Sequence, residues 1–196
     1  GVQIRQDAVV QRFNRAISRH AIDTDYDSAA HATSEEMERA WWLSFIAEVL
    51  EIDGVSARPI FDALWDYYAQ PQSWKVYEDA RTLIEYFQRT QQVWVIASNF
   101  DSRLQAICRA DIALAQAQRV FTSSELSWRK PSLSFYRKIE QELGIEPRSL
   151  LMVGDDPITD LAAAKNASWQ ALRLNRAGAR DVETLSSLAD LPAVIH

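Results

Sequence analysis

The chain has 196 residues, 47% of them hydrophobic and 24% charged, enough for one domain with a sizeable insert or for two small domains. Its formal charge of −6 and pI near 5.1 argue against a nucleic-acid footprint, which needs a basic face. No stretch approaches the ~18 apolar residues of a membrane span, and the lone Cys108 excludes an intrachain disulfide framework and favours a reducing, cytoplasmic setting.

The chain starts at Gly1 rather than methionine, as expected of a processed, cut or partial chain. In its first third the apolar residues repeat with helical spacing. Val10, Phe13 and Ile17 share one helical face in a segment ending near His20. Thr33 and Glu36 have the spacing of a capping box, and Trp42, Phe45, Ile46, Val49 and Leu50 follow at i, i+3, i+4, i+7 and i+8. Asp53-Gly54 marks a stop, Phe61, Leu64, Trp65 and Tyr68 repeat the pattern, and AQPQS at 69–73 reads as a linker.

Beyond the linker the pattern becomes strand–helix alternation. Ala80, Leu83, Ile84 and Phe87 form an amphipathic helix, and VWVIA at 93–97 is an apolar run of strand length, as expected when helices cover both faces of a sheet. A helix around Leu104–Cys108 leads to a weaker strand, RVFTS at 119–123. Pro131 stands where it would open a helix carrying Phe135, Ile139 and Leu143, with Gly144 placed to end it. SLLMVG at 149–154 is a second strong buried strand, DLAAAKNA at 160–167 a short helix and QALRL at 170–174 a last strand. The expected architecture is α/β: a Rossmann-like parallel layer over residues 74–196 and an all-helical cap over 1–73.

In open α/β sheets ligands collect beyond the carboxyl ends of the strands. VWVIA runs into Ser98, Asn99 and Asp101, and SLLMVG runs into Asp155, Asp156 and Asp160. Two like charges ~4 Å apart at an effective dielectric of ~20 repel by about 4 kcal/mol. A hard divalent cation is the natural counterweight for such a set. RKP places Lys130 between the two strand ends in sequence, just before a helix start. Hydroxyl, amide, lysine and carboxylates together suit a phosphoryl group with magnesium, which takes one or two protein carboxylates and fills its other positions with water and phosphate oxygens.

SNFD at 98–101, RKPSLSF at 129–135 and VGDDPITD at 153–160 resemble motifs II, III and IV of the haloacid dehalogenase-like (HAD) hydrolase superfamily, in order and spacing, over about residues 77–175. The helices of 1–70 resemble the cap that many members insert between motifs I and II. The resemblance implies that Ser98 binds phosphate with Asn99 beside it and that Lys130 neutralises the nucleophile and the phosphoryl group. It further implies that Asp155 is a Mg²⁺ ligand and Asp160 the second acid of that motif, with Asp156 in a supporting position behind them. Asn166-Ala-Ser departs from the superfamily's usual N-A-G, since Ser168 stands where a left-handed glycine is common.

Members attack phosphate with the first aspartate of a strand–D-x-D-x-T motif that precedes the cap, and no such motif is found. IDTDYDS at 22–28 follows SRHA rather than a buried strand, and it lacks the glycine and glutamate of a calcium loop. A solvated loop is the expectation there. By resemblance the strand order is 3-2-1-4-5 and the absent strand is the central one. Its loss would remove ladder bonds of ~1 kcal/mol net each on two sides and buried side chains of ~1.5–3 kcal/mol apiece. The implied activity is magnesium-dependent hydrolysis of a small phosphorylated metabolite through an aspartyl-phosphate, by a protein whose nucleophile lies outside this sequence. A non-catalytic binding protein and a haloacid dehalogenase are the alternatives.

Overall fold

The computed structural model of the chain describes residues 5–20, 23–178 and 183–195. Most of the IDTDYDS loop lies within them, but Ile22 does not. Three helices come first: α1 (Gln6–Arg19), α2 (Glu35–Leu50) and α3 (Gly54–Tyr68). α1 and α2 pack around Ala16, Phe45 and Val49, with Trp41 stacked on Phe45 at 5.1 Å between ring centroids and Phe13 edge-on to it at 5.4 Å, while α3 buries Ala57 and Phe61. Of the stripe Val10, Phe13 and Ile17, all largely exposed, only Phe13 meets α2, where Val9 and Ala16 pack beside it. The expected capping box also differs. Ser34, not Thr33, caps α2 by accepting from the Met37 N–H at 3.2 Å, which frees the Thr33 hydroxyl for another partner described below.

The α/β part follows with α4 (Glu78–Thr90), β1 (Ile96–Ser98), α5 (Arg103–Ala110), β2 (Val120–Thr122), α6 (Ser123–Leu126), α7 (Leu133–Leu143), β3 (Leu151–Gly154), α8 (Ala163–Asn166), β4 (Gln170–Leu174) and β5 (Thr184–Leu185). The strands are shorter than the apolar runs suggested. β1 takes in only Ile96–Ser98, although the Trp94 carbonyl still accepts from the Gln118 N–H at 3.0 Å, Ser149 belongs to a 3₁₀ turn, and Ser123 opens α6 instead of closing a strand. The helix expected over 160–167 begins as a π-helical turn, Pro157–Ala162, before α8. Gly144 ends α7 at φ 64°, and Ser168 adopts φ 66°, so the serine takes the left-handed backbone that the superfamily gives to glycine.

All strand pairs among the described residues are parallel, and they fall into two separate sheets, β2-β1 and β3-β4-β5. Helical layers hold the two sheets in one body. On one face Phe135, Tyr136 and Ile139 of α7 pack with Phe121, Met152 and Trp169, joined by Val95 and Ala97. On the other, Leu83 and Phe87 of α4 pack with Leu185 and Leu191, joined by Trp94, Leu151 and Val153. β3 reaches both cores, and the segment leading into β1 joins both through Trp94 and Val95, with no backbone ladder between β1 and β3; in the expected order 3-2-1-4-5, the two sheets correspond to 3-2 and 4-5.

One ion pair fastens α4 to the loop after α5. The Arg81 guanidinium donates to Asp111 at 2.8 Å and thereby holds the Asp111 carboxyl below its ordinary value, helped by the N–H groups of Leu114 and Ala113. A carboxyl lowered in the folded state adds stability above its unfolded value of ~3.9 and loses it as the pH falls through the folded value. Thermal melts between pH 5 and pH 2 are therefore expected to decline less steeply for Arg81→Met than for the wild type.

Candidate active site

The carboxyl ends of β1 and β3 each run into a polar turn, and one side chain ties them together. The Lys130 ammonium donates to the Asp160 carboxylate at 2.5 Å and to the Ala97 carbonyl, at the tip of β1, at 3.4 Å. Both ionic side chains are nearly buried, 9% exposed for Lys130 and 7% for Asp160. Asn99 holds the lysine's backbone from both sides. Its Oδ1 accepts from the Lys130 N–H at 2.7 Å, and its Nδ2 donates to the Lys130 carbonyl at 2.9 Å. Ser98 lies between Ala97 and Asn99, both of which touch Lys130, and its hydroxyl has no hydrogen-bond partner among the described residues.

At the other tip Asp156 caps the turn that follows, accepting from the N–H groups of Ile158 and Thr159 at 2.8 and 2.7 Å. Burial pushes the Asp156 carboxyl upward, but those two N–H groups outweigh it and hold the group below its ordinary value. Asp160 lies over the same turn and accepts from the Asp156 N–H at 3.1 Å, so both of its oxygens are engaged. Gly154 makes this overlap possible, because a Cβ there would collide with the Asp160 side chain. Asp155 is exposed, and its carboxylate makes no hydrogen bond or ion pair among the described residues.

Magnesium needs one or two protein carboxylates and otherwise takes water and substrate oxygens. Among the described residues no cluster of three or more His, Cys, Asp or Glu side chains could hold a metal unaided. The free carboxylate of Asp155, beside a turn whose other two aspartates are already bonded, fits an ion that shares its shell with a phosphate.

Two features of the site had no signal in the sequence. Tyr136 is fully buried under the turn and donates to the Thr159 carbonyl at 2.5 Å; burial, then the nearby Asp160 charge, pushes its hydroxyl far above the usual range. Glu38 of α2 is buried beside Arg129, which nothing in the helical charge pattern of 35–38 foreshadows.

Residues 4–168 match the model of the haloacid dehalogenase-like hydrolase family. The chain belongs to that family. Human haloacid dehalogenase-like hydrolase domain-containing protein 3 is 27% identical over 165 residues, 82% of this chain and 64% of that protein, so the match spans less than two thirds of the relative. Among solved structures, the HAD-hydrolase YfnB of Bacillus subtilis bound to magnesium superposes with a TM-score of 0.75 at 15% identity, over 99% of this chain and 84% of that one. A HAD phosphatase from Thermococcus onnurineus superposes at 0.61 with 19% identity, covering 82% and 89%. Dehalogenases share the fold as well.

The expected α/β core with a helical cap is therefore the fold of a HAD-like hydrolase. No described helix is long and apolar enough to cross a membrane.

Proposed function

We propose that this chain is the cap and most of the core of a magnesium-dependent phosphohydrolase that cleaves a small phosphomonoester through an aspartyl-phosphate. The observation that carries the reading is the Lys130 ammonium, nearly buried between the two strand tips and touching both sides. A fixed cation there meets the negative charge of a transferring phosphoryl group without reorganising. The free Ser98 hydroxyl donates to a phosphoryl oxygen. Asn99 fixes the Lys130 backbone, and Asp160 holds the ammonium in place. Asp155 is the residue that would hold Mg²⁺, with Asp160 the second acid of the motif and Asp156 shaping the turn that presents them. Bound there, the ion would add positive charge at the phosphoryl oxygens.

The attacking aspartate has no counterpart at the site among the described residues. The reading assigns it to a strand lying between β1 and β3, whose facing edges carry no ladder. That same observation favours a second reading, a protein that binds a phospholigand without turnover.

Titration of the chain with inorganic phosphate and Mg²⁺ tests the site directly. Ser98→Ala is expected to weaken phosphate about tenfold or more, the value of one hydrogen bond to a charged group. Asp155→Asn, or a chelator, is expected to remove the magnesium dependence. Absence of phosphate binding, or binding indifferent to both variants, would overturn the reading. Turnover is assayed in the parent protein that carries the nucleophile strand: binding without hydrolysis of 4-nitrophenyl phosphate there would select the second reading, and halide release from a 2-haloacid that survives the chelator would indicate a dehalogenase.

A further inference from the structure

We infer that Glu38, on the second helix of the cap, is a positioning residue for Lys130, so that seating of the cap and placement of the site's cation are one coupled event. What Lys130 does once placed rests on the function proposed above; that Glu38 places it rests on geometry alone.

Lys130 sits in a loop, residues 127–132, that the cap grips along its length. The Thr33 N–H donates to the Ser127 carbonyl at 3.1 Å, Ala32 and Trp128 form an antiparallel bridge, and the Arg129 N–H donates to the His31 carbonyl at 2.9 Å. Just beyond the loop the Leu133 N–H reaches the Tyr26 carbonyl at 2.9 Å. Glu38 stands behind this small ladder and is only 3% exposed. Its Oε1 accepts from the Thr33 hydroxyl at 2.8 Å and faces Arg129 Nε at 3.3 Å, while its Oε2 accepts from Arg129 Nη2 at 3.4 Å. Ser123 Oγ adds a longer contact at 3.5 Å.

A buried carboxylate is costly to leave unpaired, so Glu38 and Arg129 stay together. Arg129 is also held over the Trp41 ring at 5.4 Å, a second cap contact. Lys130 follows Arg129 directly in the chain, and its own backbone is clamped by Asn99. Displacing α2 therefore pulls on Arg129 and, one residue on, on the lysine backbone that Asn99 holds.

The same helix offers an internal control. Glu35, one turn earlier, also ties the cap to the core, accepting from the Ser102 N–H at 2.9 Å and the Ser124 hydroxyl at 2.5 Å. Neither of those partners lies in residues 127–132. Glu35 is a brace, whereas Glu38 reaches the lysine loop.

Residue-resolved hydrogen exchange of the ligand-free chain separates the two. Glu38→Gln is expected to speed exchange of the Lys130 N–H about tenfold or more, and Glu35→Gln to leave it unchanged although both lower the melting temperature. Phosphate affinity should follow the same split, about tenfold weaker in Glu38→Gln and unaltered in Glu35→Gln. If Glu38→Gln does not fold, Arg129→Gln breaks the pair from its more exposed end and carries the same expectations. Unchanged Lys130 exchange, or equal acceleration by Glu35→Gln, would overturn the inference. If the wild type bound no phosphate, the proposed function would fall, while the exchange comparison would still decide the positioning.

Discussion

Gly154→Ala is expected to be strongly destabilising, costing on the order of 1–3 kcal/mol in urea unfolding, the lower of its two routes of relief. The new Cβ would lie against Cβ, Cγ and Oδ2 of Asp160, inside the 3.0 Å that real Cβ contacts respect. Asp160 cannot swing aside cheaply, because its side chain is short, its residue is 5% exposed, and both its oxygens are bonded. Relief requires either moving β3 off the turn, at ~1–3 kcal/mol for overpacking, or breaking the pair with Lys130 and leaving buried charge uncompensated, at ~3–5 kcal/mol. Gly54→Ala is the matching control: nothing lies within 4 Å of the added methyl, and a neutral or slightly stabilising result is expected. A wild-type urea midpoint for Gly154→Ala would mean that the Asp160–Lys130 pair is free to move and does not define the site.

Lys130→Met is expected to lose more, ~3–5 kcal/mol at neutral pH, in addition to any loss of phosphate affinity. The methionine fills much of the space of the lysine stem but leaves the Asp160 carboxylate buried without its cation. Changing the partner as well, in Lys130→Met/Asp160→Asn, removes the orphaned charge and should recover most of the stability without recovering ligand binding. This non-additivity is the signature of a pair acting as a unit. If the double variant were as unstable as the sum of the two singles, the stability of the strand tips would rest on something other than this ion pair.

The cores and their helices were legible because burial imposes a period. Phe135 and Ile139 lie four apart on α7 and both are fully buried, as the apolar spacing after Pro131 implied. Helix ends were less legible, since capping depends on which hydroxyl has no better offer. Thr33 has the right spacing for a cap but bonds to Glu38, and Ser34 caps instead. Amphipathic spacing marks a stripe on α1 without saying how much of it a neighbour covers: of Val10, Phe13 and Ile17 only Phe13 meets α2, beside Val9 and Ala16.

The candidate residues at the strand tips could be picked out in advance, because Ser98, Asn99, Lys130, Asp155, Asp156 and Asp160 each stand next to a buried strand end or a helix start, where polar groups face solvent or ligand. Their division of labour could not. Asp155, Asp156 and Asp160 are alike in sequence; only the folded turn leaves the first free, makes the second a cap and pairs the third with a lysine thirty residues away. Glu38 and Arg129 are ninety-one positions apart, and their meeting depends on how the cap packs on the core. Local order and apolar period are properties of neighbouring residues, so the chain carries them by itself. Which charges meet is decided by the arrangement of distant segments, and that arrangement exists only once the whole molecule has closed.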